Sequence, residues 1–177
     1  MDDTPYVLSI SIMFLVGLPP FHQMNTEPTM TNEIEIRSSG ISAADLQMLK
    51  TFYRAFAGQP ALLDDCVTAD WQDIPLAPGQ ATGRDGAKPL IEGFATVFAE
   101  LRIEILEVIG GPNRAAVRAV MKGRHVGKLF GVAPTQKEFA LPIHEFHAFD
   151  NGRLTRTHHM EDWMSWFTQM GAAPNAA

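Results

Sequence analysis

Apolar positions in this chain follow two different periods. In ISAADLQMLKTFYRAFAGQP, Leu46, Leu49, Phe52, Tyr53 and Phe56 recur at helical spacing. Ser42 followed by Asp45 reads as a capping box, and Gly58 and Pro60 supply a stop. ALLDDCV reads as a short second helix. AKPLIEGFATVFAEL reads as a third, with Pro89 in its first turn and a stripe of Leu90, Phe94, Val97, Phe98 and Leu101. Between the second and third helices, DWQDIPLAPGQATGRDG reads as a strand and a loop rich in Pro and Gly.

From Arg102 onward the period falls to two. RIEILEVIG ends at the turn Gly110-Gly111-Pro112. In the next run Val117, Ala119, Met121, Gly123 and His125 share one face, and Arg118, Val120, Lys122 and Arg124 share the other. APTQ interrupts the pattern. KEFALPIHEFHAFD and RLTRTHHME then flank Asn151-Gly152, and DWMSWFTQMG closes as a helix with Gly171 as its stop. Helices followed by a meander of strands predict an α+β fold. About three N-terminal helices and a short C-terminal helix would pack on a curved antiparallel sheet, forming a half-open cone with a cavity between the layers.

Asn-Gly between two alternating runs is a strong hairpin signal. A two-residue loop would set Asp150 opposite Arg153, His147 opposite Arg156, Glu145 opposite His158, His144 opposite His159 and Leu141 opposite Asp162. One face would then carry Leu141, Ile143, Glu145, His147 and Phe149 with Leu154, Arg156, His158, Met160 and Asp162. A single extra residue would exchange the faces of one strand. On strands, His144 and His147 point to opposite sides, as do His158 and His159, so one metal ion cannot collect all four. A site of His147, His158 and Asp162 has no metalloenzyme spacing behind it, and no metal is expected. The remaining picture is an apolar wall bearing Glu145, His147, Arg156, His158 and Asp162, joined by His125. A carboxylate there is a candidate general base. Plainer roles stay open: Asp162 as a helix N-cap, His147 with Arg156 as a solvated cross-strand pair, His125 as a core histidine, and His144 and His159 as surface or dimer-contact residues.

Composition narrows the function classes. The chain of 177 residues carries a formal charge of −6, which argues against a nucleic-acid partner. Its single cysteine, Cys66, excludes an internal disulfide and any cysteine knuckle, and its apolar context suggests an inert thiol. YVLSISIMFLVGLPP is apolar but short for a bilayer, and its leader MDDTP is acidic where a signal peptide would be basic. Residues 1–38 are therefore read as an N-terminal extension outside the fold, 39–172 as the domain and 173–177 as a flexible tail. A cytoplasmic protein with no membrane partner is expected.

The segment GRHVGKLFGVAPTQKEFALPIHEFHAFDNGRLTRTHHMEDWMSWFTQMGA resembles the SnoaL-like polyketide (ester) cyclase family, within the nuclear-transport-factor-2-like superfamily of conical α+β folds. The likeness rests on His125 and Gly127, on Gly131, Pro134 and Thr135, on a His-x-Phe strand end before Asn151-Gly152, and on Glu161-Asp162-Trp163 leading into a helix. ATGRDGAKPLIEGFATVFAEL adds to it, and the likeness spans roughly residues 42–172. The resemblance implies a cofactor-free intramolecular aldol ring closure on a polyketide-like ester. Asp162 would be the acid/base and His147 its helper, with donors such as His125 near the enolate oxygen. Trp71, Met121 and Met160 would help wall a hydrophobic pocket. A homodimer is implied by superfamily habit. The family often has Trp near His158, where this chain has Thr-His-His. Two other readings stay open: a non-catalytic small-molecule binder, and a hydrolase using a pocket water, as in epoxide-opening relatives.

Overall fold

The structure is a computed structural model, and residues 37–172 of it are described. The expectations for residues 1–36 and 173–177 lie outside the described residues. Strand β1 (Arg37–Ser39) pairs in parallel with Glu107–Ile109, so the domain includes residues 37 and 38, which the sequence pattern had assigned to the extension.

Helix α1 (Ala43–Phe56) follows, capped as expected: Ser42 Oγ accepts the Asp45 N–H at 3.0 Å and donates to the Asp45 carboxylate at 2.7 Å. A 3-10 turn (Pro60–Leu62) and the short α2 (Leu63–Cys66) lead into β2 (Val67–Ile74). Helix α3 spans Arg84–Val97. It starts before the expected point, so Pro89 lies inside the helix and not in its first turn. Asp64 anchors the early start by accepting Arg84 at 2.9 Å and Lys88 at 2.8 Å. The helix also ends sooner, because Phe98 pairs with His125 and opens a strand. Strands β3 (Phe98–Gly111), β4 (Arg114–His125), β5 (Glu138–Asp150) and β6 (Arg153–Glu161) then form the meander, and α4 (Trp163–Met170) closes the domain.

The six strands form one open sheet in the order β1-β3-β4-β5-β6-β2. The meander is antiparallel as expected, but both edge strands run parallel to their neighbours, so the sheet is mixed. Inward-facing side chains alternate along β4 and β5: Val117, Ala119 and Met121 lie beside Leu141 and Ile143, all buried. Against them α1 lays Leu49, Phe52 and Tyr53, α3 lays Ile91, and α4 lays Trp166 and Phe167. Among the described residues no helix is long and apolar enough to cross a membrane.

The β5–β6 hairpin has the expected Asn151-Gly152 turn, with both residues at positive φ (48° and 75°). Asp150 pairs with Arg153 and Phe149 with Leu154, but Ala148 then pairs with Arg156. Thr155 is one residue too many, a β-bulge. Beyond it the faces of β6 are exchanged. His147 opposes Thr157, Glu145 opposes His159, and Ile143 opposes Glu161. Arg156, His158 and Met160, expected inside, are exposed on the outer face. Leu154, on the turn side of the bulge, is buried beside Val67 on β2 as expected, and Arg153 donates to the carbonyls of Asp64 and Val67.

The register has a direct consequence for stability. Leu154→Ala should cost about 2–5 kcal/mol, the range for emptying a core leucine site. Met160, at 73% exposure, should tolerate Ala within about 0.5 kcal/mol. Urea denaturation of both variants checks this; a loss at Met160 as large as that at Leu154 would contradict the bulge.

Candidate functional site

The inner faces of β5, β6 and β2 carry most of the buried polar side chains among the described residues. Glu145 and His147 follow one another on the inner face of β5, and Thr157 lies across from His147 on β6. Tyr53 reaches them from α1. Its hydroxyl donates to Glu145 Oε2 at 2.5 Å and lies 3.1 Å from His147 Nε2. His147 Nε2 is also 3.2 Å from Glu145 Oε2, and His147 Nδ1 is 3.0 Å from Thr157 Oγ1. Thr157 accepts the Trp71 indole N–H at 3.1 Å. Phe52 meets the His147 ring edge to face at 5.3 Å.

Burial makes these contacts matter. A charge withdrawn from water needs partners, and Glu145 has two at Oε2; Oε1 has none among the described residues. Burial pushes the Tyr53 phenol well above its ordinary value, and the charge of Glu145 adds to the rise. Tyr53 is therefore a permanent donor across the ordinary pH range.

A second group lies beside the first. His159, the cross-strand partner of Glu145, places Nδ1 2.8 Å from Glu161 and Nε2 2.8 Å from the Pro75 carbonyl and 3.4 Å from Asp73. Asp73 also accepts Gln80 at 2.8 Å. A carbonyl oxygen only accepts, so His159 Nε2 carries a proton. Burial alone would lower its pKa, but the hydrogen bond and charge of Glu161, helped by Asp73, lift it to about 9. Burial raises the carboxyl of Asp73, with Gln80 and His159 opposing the rise. Glu161 also raises Tyr53 and Glu145 raises Asp73, so the two groups act within one field.

The residues singled out in the sequence are distributed as follows. Glu145, His147, Trp71 and Met121 are buried on the inner side, the first three in or beside the polar group. His125 is buried elsewhere, with Nδ1 near Thr135 and its ring 5.0 Å from that of Trp166; burial lowers its pKa, as for a neutral core histidine. Arg156 and His158 line an outer cleft of about 420 Å³ at the β3–β4 turn, alongside Ile109, Arg114 and Phe146. Asp162 is exposed and caps α4 by accepting the Ser165 N–H at 2.9 Å. It lies five strand residues beyond the partner of His147, roughly 16 Å along β6. Tyr53, Asp73, Thr157, His159 and Glu161 were not expected in the site. Tyr53 had a signal: a buried phenol on an apolar helical stripe needs a polar partner. Among the described residues no group of three His, Cys, Asp or Glu is arranged to hold a metal ion.

Comparison with known proteins gives the family and the fold. The family model for SnoaL-like polyketide cyclases matches residues 47–170. No curated protein sequence matches the chain. Among solved structures, TsrD from Streptomyces laurentii is similar with a TM-score of 0.68 at 21% identity, over 75% of this chain and 99% of that one. A candidate polyketide cyclase from Bacillus cereus ATCC 10987 gives 0.68 at 19% identity, over 83% of this chain and all of its own. IdmH from Streptomyces antibioticus, another candidate polyketide cyclase, gives 0.65 at 20% identity, over 72% and 99%. At these identities the structural likeness speaks for the fold alone.

The clamped His159 makes folding stability depend on pH. Its pKa is higher in the folded chain (about 9) than the ordinary imidazole value of 6.5, so the clamp contributes fully below about pH 6.5. That contribution is lost as pH rises through about 9. Measured by urea denaturation, the advantage of the native chain over His159→Gln should shrink steadily across this window. A constant difference would show that His159 is not charged by its neighbours.

Proposed function

Because the chain belongs to the SnoaL-like polyketide cyclase family, we propose that it is a cofactor-free acid/base enzyme closing a ring in a polyketide-like ester by intramolecular aldol addition. The observation that carries this reading is the Glu145 carboxylate. It is 7% exposed, with Oε2 held by Tyr53 and His147 and Oε1 without a hydrogen-bond partner among the described residues. Oε1 removes a proton from a carbon flanked by carbonyls. The electrons move onto the carbonyl oxygen, and as Glu145 takes up the proton and loses its charge, the Tyr53 O–H and the His147 N–H that it held become available to donate to that oxygen. The His159 imidazolium opposite Glu145 adds a positive field. The enolate carbon then attacks a second carbonyl of the same molecule, a C–C bond forms, and the resulting alkoxide recovers the proton from Glu145. The inner face around Phe52, Trp71 and Leu141 supplies the apolar wall. In this reading Glu145 takes the acid/base role that the family resemblance would give Asp162.

The same site predicts deuterium exchange. Incubated in heavy water with a panel of β-keto esters, the native protein should wash deuterium into the activated carbon, read by proton NMR. Glu145→Gln should abolish exchange while retaining the ester. Asp162→Asn should exchange normally, because Asn caps a helix as well as Asp. Ester retained without exchange would sink the enzyme reading and leave a binding protein; loss of exchange in Asp162→Asn alone would return the base to Asp162.

We also propose that the outer sheet face pairs with a second copy. Ile109, Ala116, Phe146 and His158 form one cross-strand row on that face, with Ile109 58% and Phe146 64% exposed. A row that is its own partner suits a two-fold contact. Sedimentation velocity should give a dimer for the native chain and a monomer for Phe146→Glu. A monomeric native chain would end this proposal.

A further inference from the structure

The hydrogen bonds around His147 can each be given a direction. The Trp71 indole N–H can only donate, so at 3.1 Å it takes one lone pair of Thr157 Oγ1. The Thr157 hydroxyl hydrogen then has one other neighbour among its hydrogen bonds in the described residues, His147 Nδ1 at 3.0 Å. Thr157 is 1% exposed and His147 2%, so an undirected hydroxyl hydrogen would go unsatisfied. At the opposite side of the ring, the Tyr53 hydrogen is committed to Glu145 Oε2. His147 Nε2 thus faces oxygen lone pairs at 3.1 Å and 3.2 Å, which a bare nitrogen would repel. Both sides of the ring require the same form: Nδ1 bare, Nε2 protonated.

We infer that Thr157, backed by Trp71, is a positioning residue that locks His147 as its Nε2–H tautomer. The locked ring is a donor to the Glu145–Tyr53 pair and cannot serve as the base. The chain Trp71 N–H to Thr157 O–H to His147 N–H to Glu145 runs one way, and the carboxylate at its end collects two donors. The tautomer is a statement about the folded protein alone. Its catalytic consequence rests on the reading of Glu145 as the base.

Nitrogen-15 NMR of labelled protein near neutral pH reads the tautomer, with His147 assigned by its disappearance in His147→Gln. The native protein and Thr157→Ser should show Nε2 protonated and Nδ1 bare. Thr157→Val, nearly the same shape without the hydroxyl, removes the hydrogen bond to Nδ1, so the Nδ1 resonance should move toward that of an unbonded nitrogen. In the same variant deuterium exchange into β-keto esters should fall about tenfold or more, with rescue by Ser, as expected when a positioned donor is lost. A native His147 protonated at Nδ1, or doubly protonated, would overturn the inference, as would an unchanged spectrum in Thr157→Val. If Thr157→Val does not fold, the native and Thr157→Ser spectra still decide. A correct tautomer in a protein that exchanges no ester would uphold the lock and count against the enzyme reading.

Discussion

The extra residue at Thr155 sets which side chains meet inside this protein. A strand has a period of two, so one inserted residue turns every later side chain to the other face. With the bulge, Thr157, His159 and Glu161 face the helices, opposite His147, Glu145 and Ile143. Without it, Arg156, His158 and Met160 would occupy those places. The consequence is chemical as well as structural. An arginine beside His147 would be replaced in the observed fold by a neutral hydroxyl, and that hydroxyl orients the ring.

The inner site combines groups that would each be costly alone. Glu145 is a buried carboxyl group, His159 is partly buried between acidic neighbours, and Tyr53 is a buried phenol. Each is offset by a partner from a different element: α1 supplies Tyr53, β2 supplies Trp71 and Asp73, β5 supplies Glu145 and His147, and β6 supplies Thr157, His159 and Glu161. Removing one partner would leave another group desolvated without compensation. The site therefore depends on packing of the whole domain. The order of the sheet contributes, because β2 runs parallel to β6 at the edge and carries Asp73 and the Pro75 carbonyl to His159.

Much of the fold was legible in the chain. The spacing of Leu49, Phe52 and Tyr53 marked α1, the alternation around Val117 and Met121 marked β4, and Asn151-Gly152 marked the hairpin turn. These signals are local: each depends on residues within one element or one turn. Glu145 and His147 were likewise placed on the inner face from alternation, and the structure has them there. Phe98 was harder, since its helical spacing was real but its pairing with His125 decided for a strand.

The sequence by itself determined the period of each element, the turn chemistry and the α+β order, because backbone geometry and side-chain spacing act over a few residues. Only the tertiary structure decided the faces of β6. The bulge lets Leu154 and Thr157 both face inward, Leu154 against Val67 and Thr157 toward Trp71 and His147, and Trp71 lies far from β6 in the chain. The same long-range packing brought Tyr53 from α1 and Trp71 from β2 to His147, and left Asp162 outside as the cap of α4.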